Sequence, residues 1–278
     1  MGEAGVTMMP PRLSAQELAE LAGAVKLLEG DNFAGRLTRL LGGQVRAIGR
    51  ALPDSARKAI ALATDAALKT GLRVALRSMG ANTGAKPRNR LHQAAAAATG
   101  AVGGAFGLAA TALELPISTT ILLRSIAEIA RENGEDLAQP EAALACLSVL
   151  GLGGERPEGA DLRRSRYYCV REQLASGLVD VDFVLVKQGI ATELAPTVAR
   201  YLSQLAARFG LVVTEKLAAQ AIPVVGAVGG AAVNAAFAHH FQAMARGHFT
   251  VRRLEREHDA ETVRFEYERL RGELTAVT

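Results

Sequence analysis

Residues Gly100 to Ala105 read GAVGGA, and residues Gly226 to Ala231 read GAVGGA again. Each copy sits inside a long stretch almost free of charge. The first stretch runs from Leu91 to Leu123 with a single acid, Glu114; the second runs from Leu217 to Ala245 with no Lys, Arg, Asp or Glu. In the first copy Gly100 pairs with Gly104, and Gly103 with Gly107, as two overlapping GxxxG motifs. Glycines four apart flatten one helix face and let a second backbone approach. In water each glycine inside a helix costs roughly 1 kcal/mol relative to alanine, so this density needs a packing reason. Gly226, Gly229 and Gly230 offer the same surface in the second copy. The expectation is an all-α multi-helix bundle with two central Gly/Ala-rich helices. Outside the hexapeptide few positions match, so convergence by composition is the competing account of the repeat.

Composition points the same way. Of 278 residues 49% are hydrophobic, only 4% are aromatic, and Trp is absent. An apolar fraction made mostly of Ala, Leu and Val favours helices over sheets. From Gln93 to Leu113 there are 21 uncharged residues, enough to cross a bilayer at ~1.5 Å per residue. Their Gly and Ala content makes them only weakly hydrophobic, so a span and a buried helix both stay open. The two cysteines, Cys146 and Cys169, make neither a disulfide framework nor a CxxC pair. No charged-then-apolar leader opens the sequence. A cytoplasmic location, at the inner face of the plasma membrane, fits these features.

Charge is uneven. The net value is +4, yet from Arg36 to Arg90 twelve basic residues face two acids, Asp54 and Asp65. Within that block Arg57 to Met79 is amphipathic. Ile60, Ala63, Ala67, Leu68, Leu72, Val74, Ala75 and Met79 share one broad face, while Lys58, Lys69, Arg73 and Arg77 fall on the other. A basic amphipathic helix suits an anionic membrane surface; a solvated face of a soluble bundle has the same pattern.

Local signals place the remaining elements. Ser14 and Glu17 form a capping box for a helix to about Glu29, and a second helix covers Asn32 to Arg50. Pro53 opens the next. Pro116 bends or restarts a helix that carries Ile117 to Arg131. Pro140 starts a short helix to Leu150, and Gly151 to Ala160 (GLGGERPEGA) reads as a linker. Asp161 is the expected cap of a helix through Arg171. Helices follow over Val179 to Gln188, Glu193 to Phe209, and from Leu211 into the second uncharged stretch. Arg246 to Glu273 reads as a solvated helix with i,i+4 ion pairs. The expected divisions are an N-terminal helical extension over 1–52, a helical domain over 53–257 with an internal linker at 151–160, and a charged C-terminal helix over 258–278.

Chemical motifs are sparse. Glu114, His239, His240 and Asn234 are candidates for buried polar positions, because an unpaired charge or amide in an apolar stretch is costly. Glu114 is expected to find a partner in His239, His240 or an Arg. His240 and His248, eight residues apart, stand about 80° apart on a helix, which suits one metal poorly. HExxH, CxxC, GxSxG and phosphate-loop patterns are absent. No catalytic residue, cofactor or metal is expected. The basic block lacks interleaved aromatics, so nucleic acid is not an expected partner.

Several strings resemble the EcsC family of bacterial proteins: ALKTGLR from Ala67, GAVGGAFG, ELP at Glu114 to Pro116, RSIAEIARENGEDL from Arg124, EAALACLSVLGLGG, SRYYCVREQLA, EKLAAQAIPVVGAVGGAAVNAAF, and HFQAMARGHFTVRRLER ending at Arg256. The resemblance covers roughly Pro53 to Arg256. The family is named after the third gene of an operon that also encodes an ABC-transporter ATPase and its membrane subunit. It therefore implies a role near such a transporter, with no settled biochemical activity. Three function classes follow. The first is a non-enzymatic accessory protein whose partners are a membrane lipid surface and ABC-transporter subunits. The second is a soluble helical module for protein–protein interaction, and the third a hydrolase-like enzyme. If the glycine faces carry close helix contacts, leucine at Gly100, Gly104, Gly226 or Gly230 will lower stability by about 1–3 kcal/mol in urea unfolding. Leucine at exposed Lys58 should leave it nearly unchanged, and equal losses at both kinds of position would refute the packing role.

Overall fold

Ser14 accepts a hydrogen bond from the backbone of Glu17, and Glu17 accepts one from the backbone of Ser14, so the capping box closes in full. It starts α1, Ala15–Glu29, whose inner face buries Leu21, Val25 and Leu28. In the computed structural model the described residues are 13–41, 53–78, 108–176, 196–220 and 226–276. Side chains are described for 13–41, 53–71, 115–176, 198–220 and 230–276. Among these the chain forms helices and no strands. The further helices are α2 (Phe33–Leu41), α3 (Asp54–Ser78), α4 (Leu108–Glu132), α5 (Pro140–Leu152), α6 (Arg166–Ala175), α7 (Pro196–Gln220), α8 (Gly226–Glu257) and α9 (Ala260–Ala276). The fold is an all-α multi-helix bundle.

The middle of the bundle is α5. It buries eleven of its thirteen residues and packs against α3, α4, α6, α7 and α8. A helix apolar on every side has no solvent face to offer, so its neighbours must surround it. Long α8 packs against α1, α2, α4, α5, α7 and α9. Outside this pair, α3 lies on α4 and α7, and α1 lies on α8 and α9.

Several expectations change. The segment from Gly151 is no free linker at its start: Gly151, Leu152, Gly153 and Gly154 are all buried. A Cβ at Gly153 would stand 2.6 and 2.8 Å from ring atoms of Phe241 and 3.1 Å from His240 Nε2. Glycine here is a packing requirement. The helix expected from Asp161 begins instead at Arg166, with Ser165 accepting from the Tyr168 backbone at 3.1 Å. Asp161 holds a preceding turn, accepting from the Arg163 backbone at 2.8 Å. Pro116 neither ends nor restarts its helix, because α4 runs through it from Leu108 to Glu132. The charged C-terminal region breaks into the end of α8 and all of α9, and α9 buries Val263 and Tyr267 in the shared core. The N-terminal helices α1 and α2 also belong to that core through Leu21, Leu28, Phe33 and Leu37.

The first GAVGGA lies outside the described residues. The second opens α8, where Gly230 is buried. The helices that carry parts of the two stretches, α4 and α8, do pack together. The expected helix over Val179 to Gln188 lies outside the described residues. For packing, Gly153→Ala should lose about 1–3 kcal/mol of unfolding free energy through overpacking against Phe241. Gly23→Ala, on an exposed helix position with nothing within 4 Å of the added Cβ, should gain roughly 0.5–1 kcal/mol. Urea unfolding of the two variants checks both signs.

Candidate functional site

The residues expected at a membrane surface lie on α3. Lys58 and Lys69 are exposed, and Lys69 Nζ pairs with Asp65 at 2.7 Å, one turn away. Arg73 and Arg77 follow on the same helix, with side chains outside those described. Between the two lysines Leu62 is 73% exposed. The opposite face buries Ile60, Thr64, Ala67 and Leu68. Thr64 avoids an unsatisfied hydroxyl by donating to the Ile60 carbonyl at 2.7 Å.

The buried polar candidates separate. Asn234 is buried and accepts from Gln220 Nε2 at 3.3 Å. It lines a cavity of about 10 Å³ with Ser118, Ser125, Lys216 and Gln242, room for about one water. Lys216 is itself buried, its ammonium 5.1 Å from the centre of the Phe237 ring. His239 is exposed, contrary to expectation. Adjacent residues on a helix point ~100° apart, so His239 and His240 cannot share the inner face. His240 is buried, and its Nε2 donates to the Gly153 carbonyl at 2.8 Å. The side chain of Glu114, the expected partner of His239, His240 or an Arg, lies outside those described.

Of the main polar constellation, Tyr167, Tyr168 and Arg171 stand out in the sequence as the string SRYYCVREQLA, which reads as a packed helix or as an anion contact; the other members do not. The constellation joins α5, α6, α8 and α9 around Tyr167, Tyr168, Tyr267, His248, Arg171 and Glu255. Tyr267 stacks on Tyr167 with ring centres 5.5 Å apart. Arg171 forms a two-pronged pair with Glu255, both bonds at 2.7 Å. Arg171 also donates to the Tyr167 oxygen at 3.2 Å, and Tyr167 lies 3.0 Å from His248 Nδ1. Burial opposes the charge on Arg171, but the Tyr167 oxygen and the Glu255 carboxylate outweigh it and raise its pKa. Burial pushes Tyr167 up to about 12.

Tyr167 accepts from Arg171, and assigning its own hydroxyl hydrogen to His248 Nδ1 gives every polar atom of this chain a role. His248 then carries its ring hydrogen on Nε2, facing Ser148 Oγ at 3.5 Å. Ser148 donates in turn to the Ala145 carbonyl at 2.8 Å. The ring nitrogen beside Ser148 is therefore a donor. In that tautomer it does not take the serine proton.

Beside this chain a cavity of about 260 Å³ opens between α5, α6, α7 and α8. Leu144, Ala145, Leu152 and Leu174 form an aliphatic wall; Ser148, His248, Arg171 and Arg252 form a polar one. Arg252 bonds Glu135 through Nε at 2.7 Å and Nη2 at 3.2 Å, and Arg256 also reaches Glu135. Burial alone would raise the Glu135 pKa, but the two arginines hold it below the usual carboxylate range. Sequence patterns missed the site because its parts lie 81 to 121 residues apart wherever they bond between helices. The only local signal was the polar-aromatic string SRYYCVREQLA. Elsewhere Glu17, Glu257 and His258 bring potential ligand atoms within 4.8 Å of one another, but His258 Nε2 is already bonded to Glu17 at 2.7 Å.

Residues 16–254 match the EcsC protein family. The chain belongs to that family. No curated protein and no solved structure matches it significantly. The EcsC region thus takes in α1 and α2, which the sequence alone had assigned to an extension, and stops just before α9.

Two neutral histidines lie at the centre of this EcsC fold. Burial, and after it Arg36, Arg166 and His239, push His240 down to about 3 against the raising effect of the Gly153 bond. Burial, Arg171 and Arg252 hold His248 well below its ordinary value. The unfolded chain therefore binds two more protons below about pH 6.5. Stability from this source is complete above that pH and is lost as the pH falls toward about 3. Unfolding free energy should drop by roughly 2 kcal/mol from about pH 6 to about pH 5, and His240→Gln should halve the drop in denaturant titrations.

Proposed function

We propose that this EcsC family member is a non-enzymatic accessory protein that binds the inner face of a membrane through α3. The observation that carries the reading is Leu62, exposed between Lys58 and Lys69 on a helix whose other face is core. At ~100° per residue the three side chains fall within about 40° of one another. Such a face lowers an apolar side chain into the headgroup boundary while lysine stems keep their ammonium groups at the phosphates. Each basic residue near an anionic surface contributes about 1 kcal/mol, falling away as salt rises. The surplus of basic residues from Arg36 to Arg90 supports the same sign of partner. Surface attachment fits better than insertion, because among the described residues no helix is long and apolar enough to cross a membrane.

ABC-transporter subunits are the proposed protein partners, in keeping with the operon from which the family takes its name. The hydrolase-like alternative loses support from Ser148, whose hydroxyl already donates to the Ala145 carbonyl and stands 3.5 Å from His248. The protein-interaction alternative makes a different prediction about lipid. The full chain should sediment with phosphatidylglycerol vesicles at low salt and stay in solution with phosphatidylcholine alone. Leu62→Asp should weaken binding about tenfold, and Lys58→Glu with Lys69→Glu by more. Binding that ignores lipid charge, salt and these substitutions would overturn the membrane reading and leave protein interaction in its place.

A further inference from the structure

We propose that the cavity between α5, α6, α7 and α8 binds a small monocarboxylate with an aliphatic body. Its volume of about 260 Å³ is near the lower end for small-molecule sites, ~300–1,000 Å³. Its charged lining consists of Arg171, Arg252 and Glu141, two positive and one negative. The carboxylates that pair with the arginines, Glu255 and Glu135, are not part of the lining. Each guanidinium therefore has its carboxylate partner outside the lining of the cavity that its residue helps to form.

The donor count makes this specific. Guanidinium has five N–H groups in one plane. Glu135 takes Nε and Nη2 of Arg252, which leaves the Nη1 end without a hydrogen bond among the described residues. Glu255 takes one hydrogen from each terminal nitrogen of Arg171, and Tyr167 takes another. The Nε–H of Arg171 has no bond among the described residues. His248 adds a neutral donor, Nε2–H, whose contact with Ser148 at 3.5 Å is too long to satisfy it. Three donors of two kinds thus meet at the polar wall, opposite Leu144, Ala145, Leu152 and Leu174. A carboxylate accepts from several donors at once, and its alkyl group suits the leucines.

Charge sets the class. A cation would face both arginines. A phosphate dianion would bring two negative charges to a wall with one surplus positive charge and with Glu135 and Glu255 just behind the guanidinium groups. A neutral alcohol would leave most of the donors unmatched, which is how a polar site rejects a ligand lacking the right group. A monoanion completes the arginines without competing for their existing partners.

The test is calorimetric titration of the full-length protein with hexanoate, hexanol, hexylamine and inorganic phosphate. Hexanoate should saturate one site and bind at least about tenfold more tightly than the other three. Ala145→Leu, which fills the cavity, and Arg252→Gln should each weaken hexanoate about tenfold or more. Arg252→Lys should restore part of the loss. Because Arg252 also holds Glu135, the unfolding midpoint of each variant is measured without ligand, and Ser148→Leu serves as a second filling variant. A chain series from butyrate to decanoate identifies the source. An optimum at short chains marks a soluble acid, whereas affinity rising through decanoate marks an acid released from lipid. Hexanol or phosphate binding as tightly as hexanoate, no saturable hexanoate binding, or binding untouched in the folded filling variants would overturn the assignment.

Discussion

The constraint on which the bundle depends is the buried C-terminal end of α5. A helix leaves its last four carbonyl groups without intrahelical partners. At most helix ends water satisfies them; here the end lies in the middle of the protein. Arg208 from α7 donates to Gly151 and Glu155, both at 2.8 Å. His240 from α8 donates to Gly153, and the Phe33 backbone from α2 approaches the same carbonyl at 3.4 Å. Leaving one such group unpaired costs about 1–3 kcal/mol. Three helices are thereby fixed around the end of a fourth. The glycines follow from this: His240 can reach the Gly153 carbonyl only where no side chain on Gly153 blocks Phe241 and His240.

The same solution recurs and accounts for a bias in composition. Of 32 basic residues 26 are arginine. Arg166 donates to the carbonyls of Leu28 and Gly30 at the end of α1. Arg256 donates to Asn133 at the end of α4, and Arg271 to Arg163 before α6. A planar fork can hold two carbonyls, or a carbonyl and a carboxylate, where an ammonium offers only a point charge. Positive groups also suit the negative pole of a helix. The exchange is reciprocal at α1 and α6. While Arg166 caps α1, Glu29 at the end of α1 accepts from the backbones of Arg166 and Tyr167 at the start of α6, each at 3.0 Å. The two helix ends therefore cap each other.

Legibility in the sequence followed the range of the forces. The capping box at Ser14 and Glu17, and the start at Pro140, are local and were readable. Choosing Ser165 over Asp161 was not, because both are good capping residues. The choice rests on distant acids: Glu268 accepts from the Ser165 backbone at 2.9 Å, and Glu29 takes the next two donors. Pro116 does not restart its helix because a proline removes one bond, and a helix packed on both sides can absorb that loss. GLGG was misread because dense glycine marks both loops and close packing, and only the position of Phe241 decides between them. The cavity was illegible for a stronger reason. None of Arg171, Arg252, His248 and Ser148 is unusual for its own helix, and the site exists only in their convergence.

That convergence also explains why the cavity stays open. A purely apolar gap of this size would tend to close, since its lining forfeits dispersion contacts. Here closure would move Arg171 and Arg252 inward against Leu144 and Leu174. Glu135 and Glu255 have side chains only 6% and 10% exposed, so moving Arg252 and Arg171 away would leave Glu135 with Arg256 alone and Glu255 with the Tyr168 hydroxyl alone. Breaking a buried pair by removing one partner costs about 3–5 kcal/mol, more than the collapse of a few leucine contacts returns. The leucines therefore cannot draw the wall shut. The ion pairs behind the arginines act as struts.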